Sequence, residues 1–279
     1  MSGMKTGKKV LTALLAAGLS FAMLTGVNPG KVEAAAKKYP ALLKINDYYV
    51  LYTAPKAPYV DANYRTMIPL RSISELMGAK VSYDAKARTA AIEKDSVTVK
   101  FTIGSKSVSV NGVAGSMDTV PVMEQNSMFI PVSVLAGRLG IVSKWDQANQ
   151  LYTLTGETLM QTDIIKYSIE DIEKGPFTSP PGTIISDDAF RPISYTFDPV
   201  KGSFTVKSKN ITGKDVPEGA ADVAAYILYD DQLIQLPAQK RERPAVRKDG
   251  TIEVTVKTET PSTPAYLLVK GRLLDRSEN

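Results

Sequence analysis

The chain has 279 residues, with 34 Lys and Arg against 29 Asp and Glu, and it contains neither Cys nor His. Without these two residue types there is no imidazole base, no Cys or His-dependent nucleophile and no His or Cys ligand for copper or zinc. The absence of Cys also excludes disulfides, so each domain must be held together by its own hydrophobic core.

Residues 1–36 have the three parts of a secretory signal peptide. Lys5, Lys8 and Lys9 give a positive start, VLTALLAAGLSFAML is the apolar stretch, and VEAAAKK offers a cleavage site after Ala36. The apolar stretch is shorter than the roughly 20 residues that span a bilayer, which argues against an uncleaved anchor. We therefore expect a secreted, extracellular protein, associated with the cell surface, whose mature chain has no transmembrane segment.

Removal of this segment changes the charge of the protein. Four of the basic residues and one of the acidic residues lie in residues 1–36, which leaves the mature chain with a net charge of +2. A nucleic-acid-binding protein needs a strongly basic face to neutralise phosphates. The sequence therefore predicts no nucleic-acid partner.

The stretches TMIPLRSISELMGAKVSYD and MFIPVSVLAGRLGIVSKWD repeat one pattern at an offset of 62 residues. A proline suits the first turn of a helix, and a glycine in the left-handed conformation suits its end. Each unit is thus predicted to be a strand, a short helix and a hairpin. The repeated positions are Pro69 and Pro131, Gly78 and Gly140, and Tyr83-Asp84 and Trp145-Asp146.

Alternating apolar residues between the two units, at Val97, Val99 and Phe101, predict further strands, and Asn111-Gly112 predicts a hairpin turn. We therefore predict that residues 40–155 form an α+β domain, an antiparallel sheet around two short helices, built on the internal repeat.

Over about residues 40–155 the chain resembles the copper amine oxidase-like N-terminal domain of secreted bacterial proteins. The motifs that carry the resemblance are KINDYYV, PYVDANYRTMIPLRSISELMGAKVSYDAKARTAAI, SVSVNG and MFIPVSVLAGRLGIVSKWD. The resemblance implies a stalk-type accessory or adhesive module, separate from any copper centre. Oxidase activity in that class needs three His ligands and a Tyr-derived quinone, so a chain without His does not inherit it.

Residues 156–188 are predicted to connect this domain to a second one. The stretch from Gly156 to Gly175 fits a helix or a strand equally well, and GPFTSPPGTIISDD is rich in Pro and Gly. Residues 189–279 contain five or six period-two runs separated by turn residues, which predicts an all-β sandwich of the immunoglobulin or fibronectin type. The Cys pair and strand Trp of true immunoglobulin domains are absent, so this label describes architecture only.

Aromatic residues are the candidate ligand contacts. Tyr83 and Trp145 occupy the same position in both units, and exposed rings there would form a sugar-binding platform. Large aromatic residues are more often buried, so we expect both in the core. Several tyrosines crowd the first hairpin, and some of them must be exposed if it forms a sheet edge. The speculative contacts are Tyr83, Trp145, Tyr48, Tyr52 and Tyr59, with Tyr49 and Tyr64 nearby.

The charged residues point to structural or solvated roles. Arg71 and Glu75 are spaced for an ion pair on the first helix, but Ser133 and Gly137 replace them in the second unit. Asp222 and the pairs 187–188 and 230–231 lack the alternating spacing of a calcium loop. Residues 240–248 form a basic run that we expect to be a solvated loop, the alternative being contact with an anionic polymer. No catalytic, cofactor or metal residue is predicted.

The sequence therefore favours a secreted, non-catalytic cell-surface or extracellular structural or binding protein without a cofactor. Its predicted partner is a cell-wall polysaccharide or another surface protein. The alternative is an accessory protein that binds carbohydrate or wall polymer through the repeat. A small hydrolase that uses only carboxylates is the third hypothesis.

Overall fold

The computed structural model describes residues 42–170, 182–230, 233–238, 240–258 and 263–275. All of these belong to one compact unit, Tyr39–Asn279. The predicted signal peptide and residues 171–181 of the predicted connector lie outside the described residues. The fold is mostly β, with several sheets and few helices.

The two stretches with the repeated pattern have the same order of elements, a strand, a short helix and a hairpin. The elements of the first half of the chain are β1 Leu42–Ile45, β2 Tyr48–Thr53, β3 Tyr59–Val60, β4 Thr66–Pro69, α1 Leu70–Leu76, β5 Lys80–Asp84, β6 Thr89–Lys94, β7 Val97–Thr102, β8 Ser107–Val110, β9 Val113–Ser116, β10 Val122–Glu124, β11 Ser127–Pro131, α2 Val132–Arg138, β12 Val142–Asp146 and β13 Leu151–Thr155.

A π-helical segment, Ile164–Glu170, follows β13 and leads into the second half of the chain. It buries Ile165 and Ile169, and its Tyr167 is exposed, so this stretch is helical rather than a strand. The remaining strands are β14 Thr183–Ser186, β15 Phe190–Asp198, β16 Ser203–Asn210, β17 Ala221–Tyr229, β18 Ile234–Gln235, β19 Thr251–Lys257 and β20 Pro264–Asp275.

One large sheet includes strands from both halves of the chain. Its order is β12-β13-β1-β2-β20-β17-β18, and β14 also pairs with β20. The strand β2 lies between β1 and β20 in antiparallel pairing, with Tyr49 opposite Val269. Smaller sheets have the orders β10-β11-β4-β3, β5-β6-β7-β8-β9 and β15-β16-β19.

The two faces of this large sheet cover two separate hydrophobic cores. The first core lies against α1, α2 and the β5–β9 sheet, and it contains Ile73, Leu135 and Phe101. The second core lies against the β15-β16-β19 sheet and contains Phe204 and Val206. This pair of facing sheets is consistent with the predicted β-sandwich, but β1 and β2 belong to it as well as β17 and β20.

The two stretches with the repeated pattern have matching local geometry. Pro69 and Pro131 are the last strand residues before α1 and α2. Gly78 and Gly140 follow the helices with φ of 74° and 67°, the left-handed region in which a side chain is costly. The Asp84 carboxylate accepts the backbone N–H of Ala87. Asp146 likewise accepts the N–H of Asn149, so each acid stabilises its turn.

Within the described ranges, none of the helices has the length and apolar character needed to cross a bilayer.

Candidate binding groove beside Tyr83

Tyr83 and Trp145 both lie at the surface, 42% and 36% exposed. The expectation that they belong to the core is therefore wrong. Each is the penultimate residue of an edge strand, β5 in the five-stranded sheet and β12 in the eight-stranded sheet. Because an edge strand has a neighbouring strand on one side only, a ring near its end is open to solvent on the other side.

Tyr83 lines a groove of about 330 Å³. Four segments form its walls: the residues just after β2, the start of α1, the β5-β6 hairpin and the β10-β11 hairpin. The groove has apolar surface from Val81, Met123 and Met128 and polar groups from Ser72 and Asn126. A concave site that combines apolar surface with a few polar groups is the usual form of a small-ligand site.

Arg71 also lines this groove, on the exposed side of α1. The predicted Arg71–Glu75 ion pair is wrong, because the Arg71 guanidinium takes part in no ion pair or hydrogen bond within the described part of the chain. On a helix the order base-then-acid is the less favourable one for such a pair. Glu75 instead accepts a hydrogen bond from the Tyr266 hydroxyl at 3.4 Å. Burial, with the Glu75 charge, raises the pKa of Tyr266.

A second cavity of about 490 Å³ adjoins the groove, since Ala54 and Ser72 line both. Glu75, Asp163 and Asp230 line this second cavity. The two cavities therefore differ in the charge of the side chains that face them. The described residues include no group of three or more acids placed to hold a metal ion.

The surface around Trp145 differs from the groove. Tyr83 is paired across its hairpin with Ala90, whereas Trp145 is paired with Tyr152 at the equivalent position. The rings of Trp145 and Tyr152 lie 6.2 Å apart. The Trp145 indole N–H donates to Gln147 Oε1 at 2.8 Å. The small Ala90 leaves space beside Tyr83 that Tyr152 occupies in the second unit.

The tyrosines of the first hairpin divide into buried and exposed residues. Tyr48 is only 4% exposed, so its ring lies in the core and cannot face a ligand. It is buried because β2 is a central strand and not a sheet edge. Tyr52 is half-buried against Phe197 and Phe204. Among these tyrosines, Tyr64 is the one that is fully at the surface, with 85% of its area exposed.

Tyr59 is held within the protein. Its hydroxyl donates to Glu124, which is also ion-paired with Lys56. The Lys56 ammonium lies 3.9 Å from the centre of the Tyr59 ring. Burial and the Glu124 hydrogen bond raise the pKa of Tyr59. This cluster connects the segment after β2 to β10. The hydroxyl and the ring face of Tyr59 are therefore already in contact with protein groups and do not face a ligand.

In the basic run 240–248, Lys240, Arg247 and Lys248 are exposed as the composition predicts, but Arg241 and Arg243 are not. Arg241 and Arg243 are mostly buried, and with Arg272 they surround the fully buried Asp222. Arg243 Nε lies 2.8 Å from Asp222, and Arg272 Nη2 lies 2.6 Å from it. Burial opposes ionisation of Asp222, but the three guanidinium groups outweigh it and hold its pKa below the usual range. Asp222 is therefore a core ion pair and not a solvated acid.

Asp188 is likewise held by partners. It pairs with the Lys44 ammonium at 2.7 Å and accepts the Tyr49 hydroxyl at 2.6 Å. Burial raises the pKa of Asp188, but these two contacts lower it by more, so the net shift is downward. The contacts join the end of the predicted connector to β1 and β2.

The sequence identified Tyr83 and Arg71 but did not place them in one groove. The signal lay in the comparison of the two units. Ala90 and Arg71 of the first unit are replaced by Tyr152 and Ser133 in the second, so the first unit alone combines a cation with space beside its aromatic ring. Asn126 and Met123 carried no sequence signal.

Residues 44–154 match the family model described as the copper amine oxidase N-terminal domain. The match covers less than half of the chain and confirms the resemblance found over about residues 40–155. No curated protein matches the chain.

Proposed function

We propose that this chain is an exported, non-catalytic protein of the cell surface that binds a polysaccharide through the groove beside Tyr83. In this proposal residues 40–155 form an α+β module with an internal repeat, and an immunoglobulin or fibronectin-like sandwich follows it. The observation that carries the proposal is the exposure of Tyr83 at a groove with both apolar and polar walls. Sugar rings present apolar faces that stack on such aromatic side chains, with hydroxyl groups at their edges.

The chemistry of the groove favours binding over catalysis. Nucleophilic catalysis needs a base beside the nucleophile, and the described residues that line the groove include Ser72, Ser127 and Tyr83 but no acid.

The test is binding of the mature protein, residues 37–279, to insoluble cell-wall polysaccharide. Tyr83→Ala is expected to weaken binding at least about threefold, since an aromatic contact contributes about 0.5–1.5 kcal/mol. Tyr167→Ala is the matched control, because Tyr167 is 61% exposed and lies outside the groove. Near-UV circular dichroism checks that both variants stay folded. Equal binding by the Tyr83 variant and the wild type would contradict the proposal.

A purely structural role, in which the protein contacts another surface protein, is the second candidate. The large sheet shared by both halves favours it, because a continuous sheet suits a spacer. If this candidate is correct, the protein does not bind polysaccharide. It is still retained at the cell surface, and this retention does not depend on Tyr83.

A carboxylate hydrolase is the third candidate, because Glu75, Asp163 and Asp230 line one cavity. All three are exposed, whereas glycosidases place the acid in an apolar environment. Turnover of a polysaccharide that Glu75→Gln abolishes would establish this candidate in place of binding.

A further inference from the structure

We infer that the groove beside Tyr83 selects an acidic sugar, whose carboxylate or phosphate group pairs with Arg71. The inference rests on the proposed function, since it names the class of sugar that the same groove takes.

The first argument is charge. Of the described residues that line the groove, Arg71 alone carries a charge. Its guanidinium takes part in no ion pair or hydrogen bond within the described ranges. A planar guanidinium presents paired N–H donors that match the two oxygens of a carboxylate or phosphate. An anionic group in the groove would therefore meet a cation without a competing acid.

The second argument is the position of Arg71 on α1. It lies in the first turn of this helix, where the helix macrodipole disfavours a positive side chain. The equivalent residue of α2 is Ser133, so the same helical unit folds without a cation at this place. Arg71 therefore adds nothing evident to the stability of its own helix, and we expect its replacement to leave the stability of the protein unchanged or slightly higher.

The third argument is the neighbouring cavity. Glu75, Asp163 and Asp230 line it, and Ala54 and Ser72 separate it from the groove. These carboxylates repel an anion that extends past Ser72. They favour one placement, with the anionic group at Arg71 and the sugar ring against Tyr83.

The experiment compares two polymers of the same sugar, one with free carboxylates and one with these groups esterified. Oligogalacturonate carries one carboxylate for each sugar, and its methyl ester is the uncharged counterpart. We expect the wild-type protein to bind the acid about tenfold more tightly than the ester, the effect of one hydrogen-bonded ion pair. This preference should decrease as salt concentration rises, because ions screen exposed charges.

Arg71→Ser introduces the residue of the second unit and is expected to reduce binding of the acid to the level of the ester. Arg247→Ser is the matched control, because it removes an exposed arginine that does not line the groove, and it should keep the preference. Thermal unfolding of both variants should match that of the wild type. A third probe, poly(glycerol phosphate), tests phosphate as the source of the anion in the same way.

Each result has one interpretation. Loss of preference for oligogalacturonate in Arg71→Ser supports a carboxylate ligand, and Arg71-dependent binding of poly(glycerol phosphate) alone supports a phosphate ligand. Equal, Tyr83-dependent binding of acid and ester would overturn the inference and leave the proposed function intact. Absence of binding to all three probes would overturn the inference, whereas the proposed function would be contradicted only by Tyr83-independent binding, or no binding, of insoluble cell-wall polysaccharide.

Discussion

Tyr48 and Tyr49 are adjacent in β2 and are buried in two different cores. The Tyr48 ring packs edge-to-face on Tyr226 at 6.4 Å in the first core. The Tyr49 hydroxyl donates to Asp188 at 2.6 Å on the side of the second core. Successive side chains of a strand point to opposite faces, so β2 is a structural element of both halves of the protein.

A protein cut after residue 170 should therefore fail to fold. The first core would lose Tyr226, Leu228 and Leu268, and β2 would lose its partner β20. Each large apolar side chain that loses its burial costs about 1.5–3 kcal/mol, and a domain has only about 5–15 kcal/mol of stability. We expect residues 37–170 to show no cooperative thermal unfolding by circular dichroism.

The control for this experiment is the missing half supplied as a separate chain. Residues 182–279, when mixed with residues 37–170, should restore a cooperative transition. Cooperative unfolding of residues 37–170 alone would show that the family-matched segment is an autonomous domain in this protein, contrary to the shared sheet.

Local features of this fold could be predicted from the sequence, because they depend on neighbouring residues. Pro69 precedes α1, Gly78 follows it with positive φ, and Asp84 stabilises the next turn, as the sequence indicated. Strand pairing depends on residues far apart in the chain. The pairing of β2 with β20 buries Tyr48, and the edge position of β5 exposes Tyr83, so both predictions failed for the same physical reason.

Charge partners were equally hidden from sequence patterns. Asp222 is neutralised by arginines that follow it by 19, 21 and 50 residues. No local spacing rule connects these positions. The cluster of basic residues at 240–248 was visible, but the burial of Arg241 and Arg243 follows from the one acid that lies inside β17.

Asp222→Asn should strongly destabilise the protein. The substitution leaves three buried or mostly buried guanidinium groups without their shared carboxylate, and loss of one partner of a buried pair costs about 3–5 kcal/mol. Glu253→Gln is the control, since it removes an acid from the exposed Lys207–Glu253 pair and should change stability by less than about 1 kcal/mol. Urea unfolding of both variants measures the difference, and equal midpoints would contradict the role of Asp222.

Asp222 should also affect the acid stability of the protein. Its pKa is lowered in the folded state from an ordinary value of about 3.9, so the unfolded chain binds more protons between the two values. The stabilisation is therefore fully present above about pH 4 and is lost as the pH falls through the folded-state pKa. We expect the unfolding free energy of the wild type to decrease more steeply below pH 4 than that of Asp222→Asn. Parallel curves would mean that other acids determine the acid transition.

Trp145 is the only Trp in the chain, so its fluorescence reports directly on the second unit. Tyr152→Ala removes the ring that lies 6.2 Å from it, which should expose the indole and shift its emission to longer wavelength. The stability should fall by at least about 0.5–1.5 kcal/mol, the contribution of an aromatic pair. Tyr152→Phe keeps the ring and should preserve the emission. An unchanged spectrum in Tyr152→Ala would show that the Tyr152 ring does not shield Trp145.

Gly78 and Gly140 have the same conformation but different surroundings, so alanine should affect them unequally. Both have positive φ, which costs a non-glycine residue about 1–2 kcal/mol. A Cβ at Gly78 would also lie 3.0 Å from the Thr158 carbonyl oxygen, whereas nothing lies within 4 Å of one at Gly140. Gly78→Ala should therefore lower the free energy of unfolding by on the order of 1 kcal/mol more than Gly140→Ala does.

Gly137→Ala gives a control of opposite sign for these glycine variants. Gly137 lies within α2, and nothing lies within 4 Å of its added Cβ. Alanine is favoured over glycine inside a helix by about 0.5–1 kcal/mol, so this variant should be more stable than the wild type in urea unfolding. Suppose that Gly78→Ala and Gly140→Ala lose equal stability while Gly137→Ala gains stability. The close approach of Thr158 to position 78 would then carry no energetic cost, and the positive φ alone would determine the cost of alanine at both helix ends.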